Sequence, residues 1–290
     1  MSRFSLIVLI GLLAGCSSPQ PAADQEPVET TAASETTDEP QPEPASAPQS
    51  APGANVGDMP EANTAAGVAA RIAKAHGAAA LADAGEIEFD FIVVNANQEV
   101  FKASHRWDVQ NDRAHVAWND KTSDIIAVVD LNDSSKGWAT VGGVPATEAE
   151  VGKHLEAAYA RWVNDAYWLA MPLKLTDAGV NLELLEDREH NERPHKVLKV
   201  TFGEVGLTPG DTYWVYADPK TYVVSRWDML LQGAKEGAEP TTVSWESPVT
   251  KAGVTLHSDH RIKDTPRNIR TPLLSVNESV DEAVFAAPAE

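Results

Sequence analysis

The 290-residue chain has one cysteine, Cys16, so no disulfide can form within it. Basic residues are scarce: 23 Lys and Arg stand against 43 Asp and Glu, for a formal net charge of −20. That balance argues against nucleic acid as a partner, because phosphates require a basic surface, and against broad electrostatic adhesion to anionic lipid. Long apolar runs are lacking too. The clearest, residues 4–13, is too short to span a bilayer as a stable helix. Neither a Gly-x-Ser-x-Gly elbow nor a helical His-Glu-x-x-His is present, which removes the common serine-hydrolase and zinc-hydrolase patterns. The densest group of potential ligands is His257-Ser258-Asp259-His260. Strand residues three apart point to opposite faces, so these two histidines would not easily share a metal. His257 and Asp259 could share a face, but third and fourth ligands are wanting. The expectation is a protein without enzymatic activity, cofactor or metal.

What the chain does have begins at its N-terminus. Arg3 supplies a positive start, residues 4–13 an apolar core, and Leu13-Ala14-Gly15-Cys16 resembles the lipobox of bacterial lipoproteins. That resemblance implies a signal peptide over 1–16, with Cys16 cut free and acylated, by palmitate or a similar chain. The alternative is an ordinary secretory signal with an incidental cysteine. Ser17 and Ser18 follow where Asp would signal inner-membrane retention, so the pattern resembles an outer-membrane lipoprotein of a Gram-negative envelope, its domain facing the periplasm. Residues 17–63 are Pro-, Ala- and Glu-rich, as in Glu39-Pro40-Gln41-Pro42-Glu43-Pro44. They hold too little apolar surface to offset ordering entropy and read as a disordered acidic tether. A flexible coil of that length averages roughly 35–40 Å end to end.

Residues 64–290 are long enough for one domain. Residues 64–84 read as an Ala-rich helix with a thin apolar stripe (Val68, Ile72, Ala75, Ala79), suited to a surface or a sheet edge. Ile87, Phe89, Phe91 and Val93 then start a run of alternating strands, with Asn- and Asp-rich turns at 111–112, 119–120 and 132–133. A second helix opens on Thr147 and Glu150 as a capping box, carries Val151, Leu155, Ala158, Tyr159, Trp162 and Ala166 on one stripe, and should end at Pro172. Glu148, Lys153, Glu156 and Arg161 fall elsewhere on that helix. Strands resume after Gly179, and the charged run at 186–193 reads as a solvated hairpin turn. The pattern predicts a mainly β, α+β fold: about twelve strands and two helices, with a single large curved antiparallel sheet forming an incomplete barrel under a helical lid.

Six of the eight tryptophans lie on predicted strands: Trp107, Trp118, Trp138, Trp214, Trp227 and Trp245. Taken singly, each is most simply core. Taken together, so large a sheet with so few helices must bury one face by curling or by enclosing a ligand. Candidate cavity residues are Phe89, Phe91, Phe101, Trp107, Trp118, Trp162, Val215 and Trp227.

The order of acylated cysteine, helix, meander, helix and further strands resembles the LolA/LolB-like superfamily. The local residues that carry the likeness are Asn164-Asp165-Ala166-Tyr167-Trp168-Leu169, Met171-Pro172-Leu173-Lys174-Leu175, Asp177-Ala178-Gly179-Val180, Leu207-Thr208-Pro209-Gly210-Asp211, Tyr213-Trp214-Val215-Tyr216 and Thr221 to Trp227. The resemblance covers residues 64–290 and is to a group of bacterial lipoproteins within that superfamily. It implies a half-barrel with a helical lid that holds acyl chains. LolA itself is soluble, whereas this chain reads as anchored, and no functional residue carries over. The expected function is a lipid-anchored envelope monomer that binds an acyl chain, a lipoprotein or another hydrophobic ligand. It would touch membrane only through its N-terminal lipid anchor. The alternative is a non-catalytic interaction or structural lipoprotein whose core is filled by its own side chains.

Overall fold

A computed structural model describes residues 59–288 except Glu204. Cys16, the signal segment and nearly all of the 17–63 tether lie outside the described residues.

The first helix, α1 (Ala65–Ala75), begins where the Thr64 hydroxyl accepts the Gly67 amide at 3.0 Å. It does not run on to residue 84. Gly77 at φ 87° breaks it from a short second helix, α2 (Ala78–Ala82), and a Cβ on Gly77 would lie 2.1 Å from the Gly253 carbonyl oxygen. Nor is the thin stripe a surface feature. Val68, Ala69 and Ile72 are wholly buried. Small side chains are what let this helix seat deeply.

Next come six strands: β1 (Glu86–Asn95), β2 (Gln98–Asp108), β3 (Arg113–Asn119), β4 (Asp124–Asp130), β5 (Gly137–Val141) and the two-residue β6 (Val144–Pro145). Helix α3 (Glu148–Lys174) follows, about 40 Å long at 1.5 Å per residue. Pro172 does not terminate it. The ring removes one backbone donor and so one hydrogen bond, yet burial of Met171, Leu173 and Leu175 carries the helix two residues further. The chain continues through β7 (Val180–His190), β8 (Arg193–Phe202), β9 (Thr212–Ala217), β10 (Val224–Leu230), β11 (Thr241–Ser244), β12 (Glu246–Lys251), β13 (Val254–Arg261), β14 (Arg267–Arg270), β15 (Leu273–Asn277) and the one-turn helix α4 (Glu282–Phe285). The charged run at 186–193 is mostly strand; the turn itself is Asn191-Glu192, both at positive φ.

The protein is mainly β, built on a large, open antiparallel sheet of ten strands. Its order is β12-β13-β14-β1-β2-β3-β4-β5-β6, with β15 pairing the part of β1 that β14 leaves free. The remaining strands form a second sheet, β11-β10-β9-β8-β7. The expected large open antiparallel sheet is present, and among the described residues a second, five-stranded sheet and two further short helices accompany it. The sheets meet at a corner: Trp245 alone separates β11 from β12, and a bridge from Val243 to Ile262 links the two. A one-residue corner leaves no loop to mark it in sequence.

The core forms two clusters that share α3. The first packs Leu155, Ala158, Trp162, Ala166 and Leu169 of the helix on Phe89, Trp107, Val116 and Ile125 of the ten-stranded sheet. The second gathers Met171 and Leu175 with α1 and with the inner face of the five-stranded sheet, including Leu198, Val215, Trp227 and Val243.

Candidate functional site

The eight candidate residues divide between these clusters. Phe89, Trp107, Trp118 and Trp162 lie in the first, and Phe91, Val215 and Trp227 in the second. Phe101 is partly buried against both. Period-two alternation puts Phe89 and Phe91 on one face of β1, but different elements cover that face along its length. All are packed on protein neighbours. The Trp162 ring lies 5.1 Å from Trp107 and 6.3 Å from Phe89, and Trp227 lies 4.9 Å from Tyr213 and 5.0 Å from Trp168.

Polar groups are embedded in this aromatic interior. His105 on β2, fully buried, stacks on Phe89 at 4.6 Å and donates from Nε2 to Asp165 Oδ2 on α3 at 2.8 Å. This bond ties the helix to the sheet within an otherwise apolar layer. His105 Nδ1, Trp107 Nε1, Tyr167 Oη and Trp227 Nε1 are buried with no partner among the described residues. Burial pushes the Tyr167 hydroxyl pKa far up, so it stays protonated.

Arg161 is the residue that sequence reasoning missed. The helical count sets it off the apolar stripe of α3, yet its guanidinium lies over Phe101 at 4.7 Å and over Trp118 at 5.0 Å. Its Nε is buried and unpartnered, and it makes no ion pair among the described residues. Burial lowers its pKa, opposed by the charges of Asp165 and Asp120. A cation on two rings at the margin of an apolar cluster is suited to an anionic headgroup whose tail is apolar.

A second buried polar group lies at the corner between the sheets. His257 and His260 both reach Trp245, at 5.6 and 4.5 Å, although alternation assigns them to opposite faces of β13. His76, at the end of α1, is 5.7 Å from His257 and donates from Nδ1 to the Ile72 carbonyl. Thr271 donates its hydroxyl proton to the His257 carbonyl, so it accepts from His260 Nε2 at 2.9 Å. Desolvation lowers the pKa of His257 to about 4 and of His260 to about 3, each further depressed by a neighbouring histidine. Among the described residues no three His, Cys, Asp or Glu side chains group as metal ligands. No described helix is long and apolar enough to cross a membrane.

Neither a family model nor a curated protein matches the chain. Among solved structures it is similar to a LolA superfamily protein from Nitrosomonas europaea, at 9% identity, covering 77% of this chain and 98% of that one with a TM-score of 0.48. It is similar as well to a DUF1329 family protein from Desulfovibrio piger (9% identity; 76% and 97% covered; TM-score 0.43). A third is an outer membrane lipoprotein-sorting protein domain from Vibrio parahaemolyticus (12% identity; 75% and 94% covered; TM-score 0.41). No residue role is transferred from any of them.

Proposed function

We propose that this chain is a non-catalytic, lipid-handling protein of the bacterial envelope that takes an anionic amphiphile, such as a fatty acid or acyl lipid, between the ten-stranded sheet and helix α3. Arg161 carries this reading. Its charge is held on Phe101 and Trp118 without an ion-pair partner among the described residues, beside the cluster of Phe89, Trp107 and Trp162. A carboxylate or phosphate head would pair with the guanidinium while the tail replaces α3 against the sheet. Each buried methylene contributes about 0.8 kcal/mol, so roughly ten supply about 8 kcal/mol to offset the lost helix contacts. Pro172 supports such a movement, because its ring leaves the α3 ladder one hydrogen bond short in the last turns of the helix. In this reading Cys16 is the acylated anchor, placing the protein at the outer membrane, and residues 17–63 are its tether.

A second reading, an interaction module with a filled core, is supported by the mutual packing of the Trp107, Trp162 and Phe89 rings. One titration separates the two. A dansyl-labelled fatty acid should bind the Cys16→Ser chain saturably, and palmitate should displace it better than hexadecanol does. Arg161→Gln should abolish the preference for the acid over the alcohol. Absence of saturable binding by folded protein refutes the lipid reading and favours the filled module.

A further inference from the structure

The outer face of the five-stranded sheet, opposite Val215 and Trp227, carries a groove of about 390 Å³. Its registers place Trp214 beside Asp228 and Thr242, and Tyr216 beside Arg226. Trp214 is half-buried, and its ring pairs with no other aromatic or cationic group among the described residues; the other seven tryptophans each do. Behind it the polar groups are already ordered. Arg226 donates from Nε and Nη2 to the two oxygens of Asp228, both at 2.8 Å, and from Nη2 to Thr242 Oγ1 at 3.2 Å. Its guanidinium rests 4.5 Å over the Tyr216 ring, and its Nη1 has no hydrogen-bond partner among the described residues. Arg188 donates to the Tyr216 hydroxyl at 3.5 Å, and Glu239 and Pro240 complete the lining.

Two arginines and two carboxylates line this groove, so its formal charge cancels. An anion would meet Asp228 and Glu239 as well as the arginines. An apolar chain would strip water from the Arg226–Asp228 pair without replacing its hydrogen bonds. A pyranose fits both halves of the lining. Its flat C–H face can stack on an indole, and its adjacent hydroxyls both donate and accept, as a fixed guanidinium–carboxylate pair requires. The volume falls within the range of about 300–1,000 Å³ typical of small-ligand sites. We propose that this groove is a binding site for a neutral glycan, with one sugar ring on Trp214 and its hydroxyls bridging Asp228 to Arg226 and Arg188. The sheet separates this groove from the interior beside α3, so the inference stands apart from the acyl-chain reading.

The test is calorimetric titration of the full chain in phosphatidylcholine nanodiscs with chitotetraose, cellotetraose and maltotetraose. Succinate serves as a small dianion. At least one saccharide should bind, and its affinity should change little between about 50 and 500 mM salt, because no net charge is paired. Trp214→Ala should weaken binding at least about tenfold, whereas Trp214→Phe, which keeps a stacking face, should stay within a few-fold of the parent. Circular dichroism and unfolding midpoints confirm that both variants fold. Any of three results overturns the proposal: no saccharide binding at millimolar concentration, undiminished binding by folded Trp214→Ala, or salt-sensitive binding of succinate in place of sugar.

Discussion

Acidification should destabilise this protein through its buried histidines, well above the pH at which carboxylates titrate. His257 and His260 are 2% and 0% exposed, and burial lowers their pKa values to about 4 and about 3. The sign follows from linkage. In the unfolded chain both histidines titrate near 6.5, so below that pH the unfolded state binds protons that the native state refuses. The stability contributed is therefore complete above about pH 6.5 and is lost as pH falls toward the folded values. Between pH 7.5 and 5.0 each histidine gives up about 2 kcal/mol, and the pair about 4 kcal/mol, a large part of a typical 5–15 kcal/mol. His76 and His115, lowered in the same direction by desolvation, add to the loss. Urea unfolding at the two pH values, followed by circular dichroism, measures it. His257→Gln should shrink the difference by about 2 kcal/mol, since one of the titrating groups is gone. A parent loss below about 1 kcal/mol, or an undiminished loss in the variant, would refute the assignment of these imidazoles as neutral, buried groups.

Two further outcomes follow from the same structure. Trp162→Ala removes a ring packed on Phe89, His105 and Trp107 and should cost about 3–5 kcal/mol in chemical denaturation; a loss under about 1.5 kcal/mol would show that α3 is loosely seated. Cys16→Ser should move the protein from the membrane to the soluble fraction, because an acidic chain offers no second anchor, and retention after a salt wash would contradict this.

The strands were legible because their alternation is strong, but their burial was not. Ile87, Phe89, Phe91 and Val93 predict a half-buried β1, yet Glu86 and Asp90 on its other face are buried too. They are made tolerable by Arg106 at 2.7 Å from Glu86 and Lys102 at 2.8 Å from Asp90, both on the paired strand β2. Alternation reports which residues prefer water; it does not report which of them find a partner. The helix ends failed for a related reason. Pro172 is a sound stop signal in isolation, and apolar burial on both sides of it outweighed one missing hydrogen bond. At Gly77 the opposite holds: an Ala-rich run with good propensity is broken because the chain must approach Gly253.

The candidate aromatics were readable as a set but not as a site. In the structure, alternation along β9 sets Val215 toward the core and Trp214 and Tyr216 on the other face. It assigns no role to the outward set, because a partly exposed tryptophan among charges has the same pattern as a solvated strand face. Arg161 shows the limit most sharply. Its position on α3 is polar by every helical count, and what makes it notable is supplied by two other strands: Ala103 pairs with Trp118 in the β2–β3 register, which brings Trp118 near Phe101. A long cationic side chain can then lie across both rings with its stem on apolar surface. Such a site depends on three elements meeting, and no single segment of sequence encodes it.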